Sequence, residues 1–105
     1  MRAQDFLHEA IVGTITINGQ VISVDDHAFD RAITRDVLPT DVDRVLRKLH
    51  TVQDQIAAID PGQKFWVYDR TQDVAVGFRT GSTLLLKTVL GKRPYSSDIP
   101  VIEID

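Results

Sequence analysis

Residues 64–90 have the sequence KFWVYDRTQDVAVGFRTGSTLLLKTVL, in which three short apolar runs are separated by polar turn formers. Runs 64–69 and 74–79 are rich in β-branched and aromatic residues and follow a period of two, which predicts strands. The run 84–90 is apolar on both faces, which is typical of a central strand. Because residues 71–73 and 80–82 are suited to tight turns, we expect these three strands to form an antiparallel meander.

A β-hairpin is predicted near the N-terminus. Residues 11–17 and 20–24 are β-rich runs separated by Asn18-Gly19. Both residues of that pair tolerate the positive φ of a type I′ turn, so the pair is a strong short-range hairpin signal. Residues 101–104 suggest one more short strand.

Two helices are expected between the hairpin and the meander. The first follows a cap at residue 25 or 26 and extends to about Arg35. The second is capped by Thr40, with Asp43 three residues later in a variant of the capping box. It runs to about residue 59, where Pro61-Gly62 stops it. Its apolar side chains recur every three to four residues and form a stripe: Val42, Val45, Leu46, Leu49, Val52 and Ile56. The predicted fold is α+β, a single compact domain over 1–105, with two helices packed on one face of a twisted antiparallel sheet (β-β-α-α-β-β-β, with a last short strand).

Composition excludes several classes of protein. The 105 residues are 43% hydrophobic and 26% charged, with a net charge of −3 and no cysteine. Disulfides and thiolate chemistry are therefore excluded, and we expect a cytoplasmic protein. No run approaches the roughly 18 apolar residues of a membrane span, and three scattered histidines do not predict a metal or cofactor site. The acidic balance means that any nucleic-acid contact must come from a local basic patch.

The sharpest chemical pattern is His27, Arg31 and Arg35, which lie four residues apart. On a helix these side chains line one side. An imidazole beside two permanent cations suits a site that binds a phosphodiester and moves a proton. The basic line should face outward or across a cleft.

Further candidates come from the strands. In 74–79, Ala75, Gly77 and Arg79 share one face of the strand. The first two side chains are small and the third is a cation, a combination that suits a ligand-facing surface. In 84–90, Lys87 and Thr88 are the polar exceptions and should alternate between the two faces. Arg93 follows that strand and could serve as a phosphate-binding lip. Trp66 and Tyr68 share a strand face and could stack a base.

The pattern from His27 to the strand 86–90 (LKTVL) resembles the barnase/colicin D/RelE-like nuclease superfold, in particular its small, often phage-encoded members. The resemblance covers roughly residues 20–93 and implies a metal-independent ribonuclease with its catalytic groups on the open face of a sheet and on the facing helix. By position it assigns His27 and Arg31 to the helix motif and Thr88 to the last-strand hydroxyl. Arg35, Arg79, Lys87 and Arg93 are candidate substrate-binding residues.

Two alternatives remain open at this point. One is a small non-catalytic phage or antitoxin-like protein that occludes a host protein, which an uncovered part of the helical stripe would favour. The other is a member of the nuclease fold that has lost activity. An enzyme requires His27, Arg31 and at least one of Arg79, Lys87 or Thr88 within one pocket, whereas a binding module does not.

Overall fold

The computed structural model describes residues 11–17, 19–25, 28, 32, 35–95 and 98–105. Two strands come first, β1 (Ile11–Ile17) and β2 (Gln20–Asp25). Helix α1 (Pro39–Arg47), a 3₁₀ turn (Leu49–Val52) and helix α2 (Gln53–Ala57) follow. The last elements are strands β3 (Lys64–Asp69), β4 (Val74–Arg79), β5 (Leu84–Leu90) and β6 (Val101–Ile104).

All six strands form one sheet in the order β1-β2-β5-β4-β3-β6. The strands β1 and β2 pair antiparallel, and Gly19 between them has a φ of 80°. The strands β3, β4 and β5 form an antiparallel meander. The predicted hairpin, meander, central strand β5 and last short strand are therefore confirmed, as is the α+β class with helices packed on a sheet.

The expectation of an antiparallel sheet was wrong in one respect, because the sheet is mixed. Strand β2 pairs parallel with β5, and β3 pairs parallel with β6. Turn signals determine only how neighbouring strands pair. The long connection from β2 to β5 returns the chain to the same end of the sheet, which a parallel pair requires. That long-range pairing joins the N-terminal hairpin to the meander.

The helical layer covers one face of the sheet. All six residues of the predicted stripe are buried and share one hydrophobic core with Val76 and Phe78 of β4. That packing was predicted. Because the stripe is buried within the domain, it offers no apolar surface to a partner protein.

The helical segment is interrupted where one continuous helix was expected. Helix α1 ends at Arg47 with Lys48 as its C-cap, and residues 49–52 tighten into the 3₁₀ turn. The Thr51 hydroxyl donates to the Lys48 carbonyl at 2.6 Å, which offers that carbonyl an alternative to the α-helical bond. The helix also begins earlier than predicted, with Pro39 at its first position, where its fixed φ suits a helix start.

The first predicted helix lies mostly outside the described residues. Ala28 and Ala32 are described, and both are helical and buried. The chain then leaves the helix in a Schellman arrangement, in which the Val37 N–H donates to the Ala32 carbonyl at 2.8 Å and Asp36 is left-handed with a φ of 56°. This helix end determines the position from which the Arg35 side chain extends.

Candidate functional site

The face of the sheet away from the helices carries a row of three paired residues. Trp66 lies opposite Gly77, and Gly77 lies opposite Thr88, across β3, β4 and β5. Their neighbours along the strands, such as Phe65 and Val76, point into the core and are fully buried. The row therefore lies on the open face, where the sequence placed Gly77.

A β-bulge in β5 brings two candidate residues to this face together. Gly77 pairs with Thr88 while Phe78 pairs with Leu86, so Lys87 is an extra residue in the ladder. A bulge shifts the alternation of side chains by one position. Leu86 and Val89 are consequently buried, whereas Lys87 and Thr88 are both half-buried. The expected alternation of Lys87 and Thr88 between opposite faces was wrong for this reason.

A cavity of about 330 Å³ opens between these side chains. Close packing requires a glycine at position 77 in the cavity wall. A Cβ on Gly77 would lie 2.8 Å from the Thr88 methyl group and 3.0 Å from the Trp66 ring. Any larger residue there would displace the indole or the Thr88 side chain. Cations, a carboxylate, a hydroxyl and an aromatic ring are all found in its lining, which includes Asp25, Lys64, Trp66, Gly77, Lys87 and Thr88.

The carboxylate and one cation of the cavity form a partly buried ion pair. The Lys87 ammonium donates to Asp25 Oδ2 at 3.2 Å, and the Asp25 side chain is only 7% exposed. Parallel pairing of Val24 with Leu86 brings Asp25 alongside Lys87. In the sequence, Asp25 was a candidate only for a helix cap. The alternation of Ser23 and Asp25 with apolar neighbours in β2 is the signal that could have placed it on the open face.

Arg35 reaches the same strand from the end of the first helix. Its guanidinium donates to Thr88 Oγ1 at 3.1 Å and to the Val89 carbonyl at 2.7 Å. The pairing of β2 with β5 stops at Leu86, so Arg35 binds a part of β5 that β2 does not cover. Two residues chosen from the sequence, Arg35 and Thr88, are thus brought together 53 positions apart in the chain.

The other candidates are distributed differently. Arg79 lines a separate depression beside Ser23 and Thr83. Arg93 pairs with Glu103 and lies over the Tyr68 ring, with its guanidinium carbon 5.4 Å from the ring centroid. The Arg93 guanidinium holds the pKa of Glu103 below its usual range. The structure therefore brings neither Arg79 nor Arg93 into the cavity. His27 and Arg31 lie outside the described residues.

A second buried carboxylate, that of Asp69, is held by hydrogen bonds from the helical segment and from the β3–β4 turn. It accepts a hydrogen bond from the Lys48 ammonium at 2.7 Å and another from the Gln72 amide at 2.8 Å. Two backbone N–H groups, those of Thr71 and Gln72, complete the set. Burial by itself raises the pKa of Asp69, but the hydrogen bonds from Lys48 and Gln72 outweigh it and hold the pKa below its ordinary value. This carboxylate joins the helical segment to the β3–β4 turn.

The geometry supports two kinds of ligand contact. Arg35 lines a neighbouring depression with Leu90, Gly91 and Lys92, and together with the Thr88 hydroxyl it is suited to hold an anionic group beside the cavity, because a guanidinium matches the oxygens of phosphate. The cavity behind them is suited to a planar group, with Trp66 as an aromatic surface and the Asp25–Lys87 pair as acceptor and donor. Within the described ranges, no cluster of three histidine or carboxylate side chains could hold a metal ion.

No helix in the described part of the chain is long and apolar enough to cross a membrane. The chain matches no protein-family model, no curated protein and no solved structure.

Proposed function

We propose that the chain is a metal-independent ribonuclease of the small toxin or phage type that cleaves RNA in the cytoplasm, at the cavity on the open face of the sheet. The observation that carries the proposal is the hydrogen bond between Arg35 and Thr88 beside a cavity walled by Lys87. The Arg35 guanidinium holds the Thr88 hydroxyl, and Thr88 and Lys87 both line a space large enough for part of a nucleotide.

The chemistry uses the nucleophile that RNA already carries. The ribose 2′-oxygen attacks the adjacent phosphorus and loses its proton to a base, and the bond from phosphorus to the 5′-oxygen breaks as that oxygen receives a proton. The products are a 2′,3′-cyclic phosphate and a 5′-hydroxyl. Arg35 and Arg31 would stabilise the extra negative charge of the pentacoordinate phosphorus, and Thr88 would orient the phosphate.

The proton transfers are assigned from the sequence pattern. His27 is proposed as the general acid or base, because an imidazole titrates near neutral pH. Arg31 is proposed as a second phosphate ligand, because it precedes Arg35 by four residues, the spacing of neighbours on the predicted helix. His50 provides a matched control for His27, since it lies in the 3₁₀ turn on the helical side of the sheet.

The test is cleavage of single-stranded RNA in EDTA, with the ends of the products identified. We expect 2′,3′-cyclic phosphate ends and a rate that falls by about 10²-fold or more in His27→Ala, the usual contribution of a general acid or base. His50→Ala should cleave at the parent rate. If the purified protein leaves a broad panel of RNAs intact, or if His27→Ala is as active as the parent, the ribonuclease proposal is wrong.

Binding separates the role of Arg35 from proton transfer. Arg35→Ala should weaken RNA binding and reduce the salt dependence of the binding constant by about 0.7 in logarithmic slope, the value for one contact to a single-strand phosphate. Arg35→Lys keeps the charge but loses the planar fork, so it should retain the slope and lose part of the rate. An unchanged slope in Arg35→Ala would exclude this residue as a phosphate ligand.

A further inference from the structure

We propose that the cavity on the open face binds one unpaired nucleobase, stacked on Trp66 and hydrogen-bonded by the Asp25–Lys87 pair. The inference rests on the proposed ribonuclease function for the source of the base, which would be single-stranded RNA. It goes further by naming what enters the cavity and which residues hold it.

The size of the cavity suits one base. A volume of about 330 Å³ lies at the small end of the range of about 300–1,000 Å³ that is typical of ligand pockets. A base within a duplex remains stacked and paired, so its flat faces cannot enter such a site. Only a base that is unpaired or turned out of the stack can be enclosed. The proposed substrate is therefore single-stranded.

The aromatic surface is held in place by its neighbour across the strand pair. Trp66 is half-buried, and its six-membered ring approaches Gly77 so closely that no side chain fits between them. The ring is fixed by this contact and also lines the cavity. Aromatic side chains bind unpaired bases by stacking on their π faces, and this interaction tolerates any base.

Hydrogen bonding to the edge of the base is assigned to the ion pair. The Lys87 ammonium is a donor and the Asp25 carboxylate is an acceptor, and the two atoms lie 3.2 Å apart on the cavity wall. Every nucleobase carries a donor and an acceptor close together on its Watson–Crick edge, so one base can engage both groups. A partly buried ion pair is weak evidence for stability. Ligand recognition is a role that explains its position in the wall.

Trp66 allows the inference to be tested directly, because it is the only tryptophan in the chain. The four nucleoside 5′-monophosphates are titrated while indole emission is recorded, with ribose 5-phosphate and inorganic phosphate as probes that lack a base. We expect saturable quenching by the nucleotides, with affinities about 5- to 150-fold higher than that of ribose 5-phosphate, the gain expected from stacking one base. A short RNA should bind as a single strand and lose binding in its duplex, whereas a site for free nucleotides only would bind neither form.

Two charge-matched variants localise the binding. Lys87→Gln should weaken nucleotide affinity by at least about fivefold, because it replaces a charged hydrogen bond. Arg44→Gln removes the same charge from α1, on the helical side of the sheet, and should leave affinity unchanged. Circular dichroism of each variant establishes that it is folded.

The outcomes separate this inference from the proposed function. Nucleotide binding without RNA cleavage would uphold the base site and overturn the ribonuclease. RNA cleavage with no preference for nucleotides over ribose 5-phosphate would uphold the ribonuclease and overturn the base site. Equal weakening in Lys87→Gln and Arg44→Gln would also overturn the assignment of the cavity.

Discussion

Gly77→Ala tests whether the floor of the cavity is as tightly packed as its geometry indicates. The added methyl carbon would lie 2.8 Å from the Thr88 methyl group and 3.0 Å from the Trp66 ring. Both distances are well below the 3.5–4.0 Å of favourable carbon contacts. Overpacking of this kind costs about 1–3 kcal/mol, and removing a glycine from a strand returns about 0.5–1 kcal/mol. We therefore expect a net loss of about 1 kcal/mol, and at most about 2.5 kcal/mol, in the free energy of unfolding.

Urea denaturation followed by Trp66 fluorescence and circular dichroism gives this free energy, and the fluorescence also reports any displacement of the indole. Gly13→Ala is the matched control, because a Cβ on this strand glycine would meet no atom of the described residues within 4 Å. That variant should be as stable as the parent or slightly more so. Thr88→Ser removes the methyl group that the new carbon would strike. Combined with Gly77→Ala, it should recover about 0.5–1 kcal/mol beyond additivity.

If Gly77→Ala unfolds at the same urea concentration as the parent with unchanged Trp66 emission, the floor of the cavity is not tightly packed. Additive effects of Gly77→Ala and Thr88→Ser would equally contradict the tight packing, because the two side chains would then not meet.

Two further predictions concern the core and a buried charge. Leu46→Ala should lower the free energy of unfolding by about 2–5 kcal/mol, since Leu46 is 3% exposed within the core. As a control, Gln53→Ala changes an exposed side chain and should stay within about 0.5 kcal/mol of the parent. A small effect of Leu46→Ala in urea denaturation would mean that the stripe is not the core. Lys48→Met should cost about 1.5–3 kcal/mol at neutral pH, the value of a hydrogen bond to a charged group, because the other hydrogen bonds to Asp69 remain. The folded-state pKa of Asp69 is lowered, so this stabilisation is present above the unfolded pKa of about 3.9 and is lost as the pH falls through the folded value. The stability difference between parent and variant should therefore shrink below about pH 4, and a constant difference across that range would contradict it.

Local sequence signals predicted the elements that depend on neighbouring residues. Asn18-Gly19 located the hairpin because a turn needs only its own φ angles. The helical stripe identified the core because its spacing follows from helix geometry. Arg35 and Thr88 were both selected for their chemistry, and they do meet.

Long-range pairing accounts for what was missed. The parallel pairing of β2 with β5 depends on how the intervening chain crosses the sheet, which no local signal encodes. The bulge at Lys87 is a mismatch between two strands and cannot be read from either strand alone. These two features together place Asp25 beside Lys87. The Asp25–Lys87 ion pair could therefore not be predicted from the sequence, where Asp25 is one of several polar residues at the end of a strand.

The position of β5 at the centre of the sheet has a consequence for synthesis of the chain on the ribosome. Strand β2 is made early, but its second neighbour, residues 84–86 of β5, is made some 60 positions later. An isolated two-stranded hairpin is only marginally stable in water. Most of the chain must therefore be synthesised before the N-terminal hairpin can join a larger sheet. We expect nascent chains that stop before residue 84 to be sensitive to proteases.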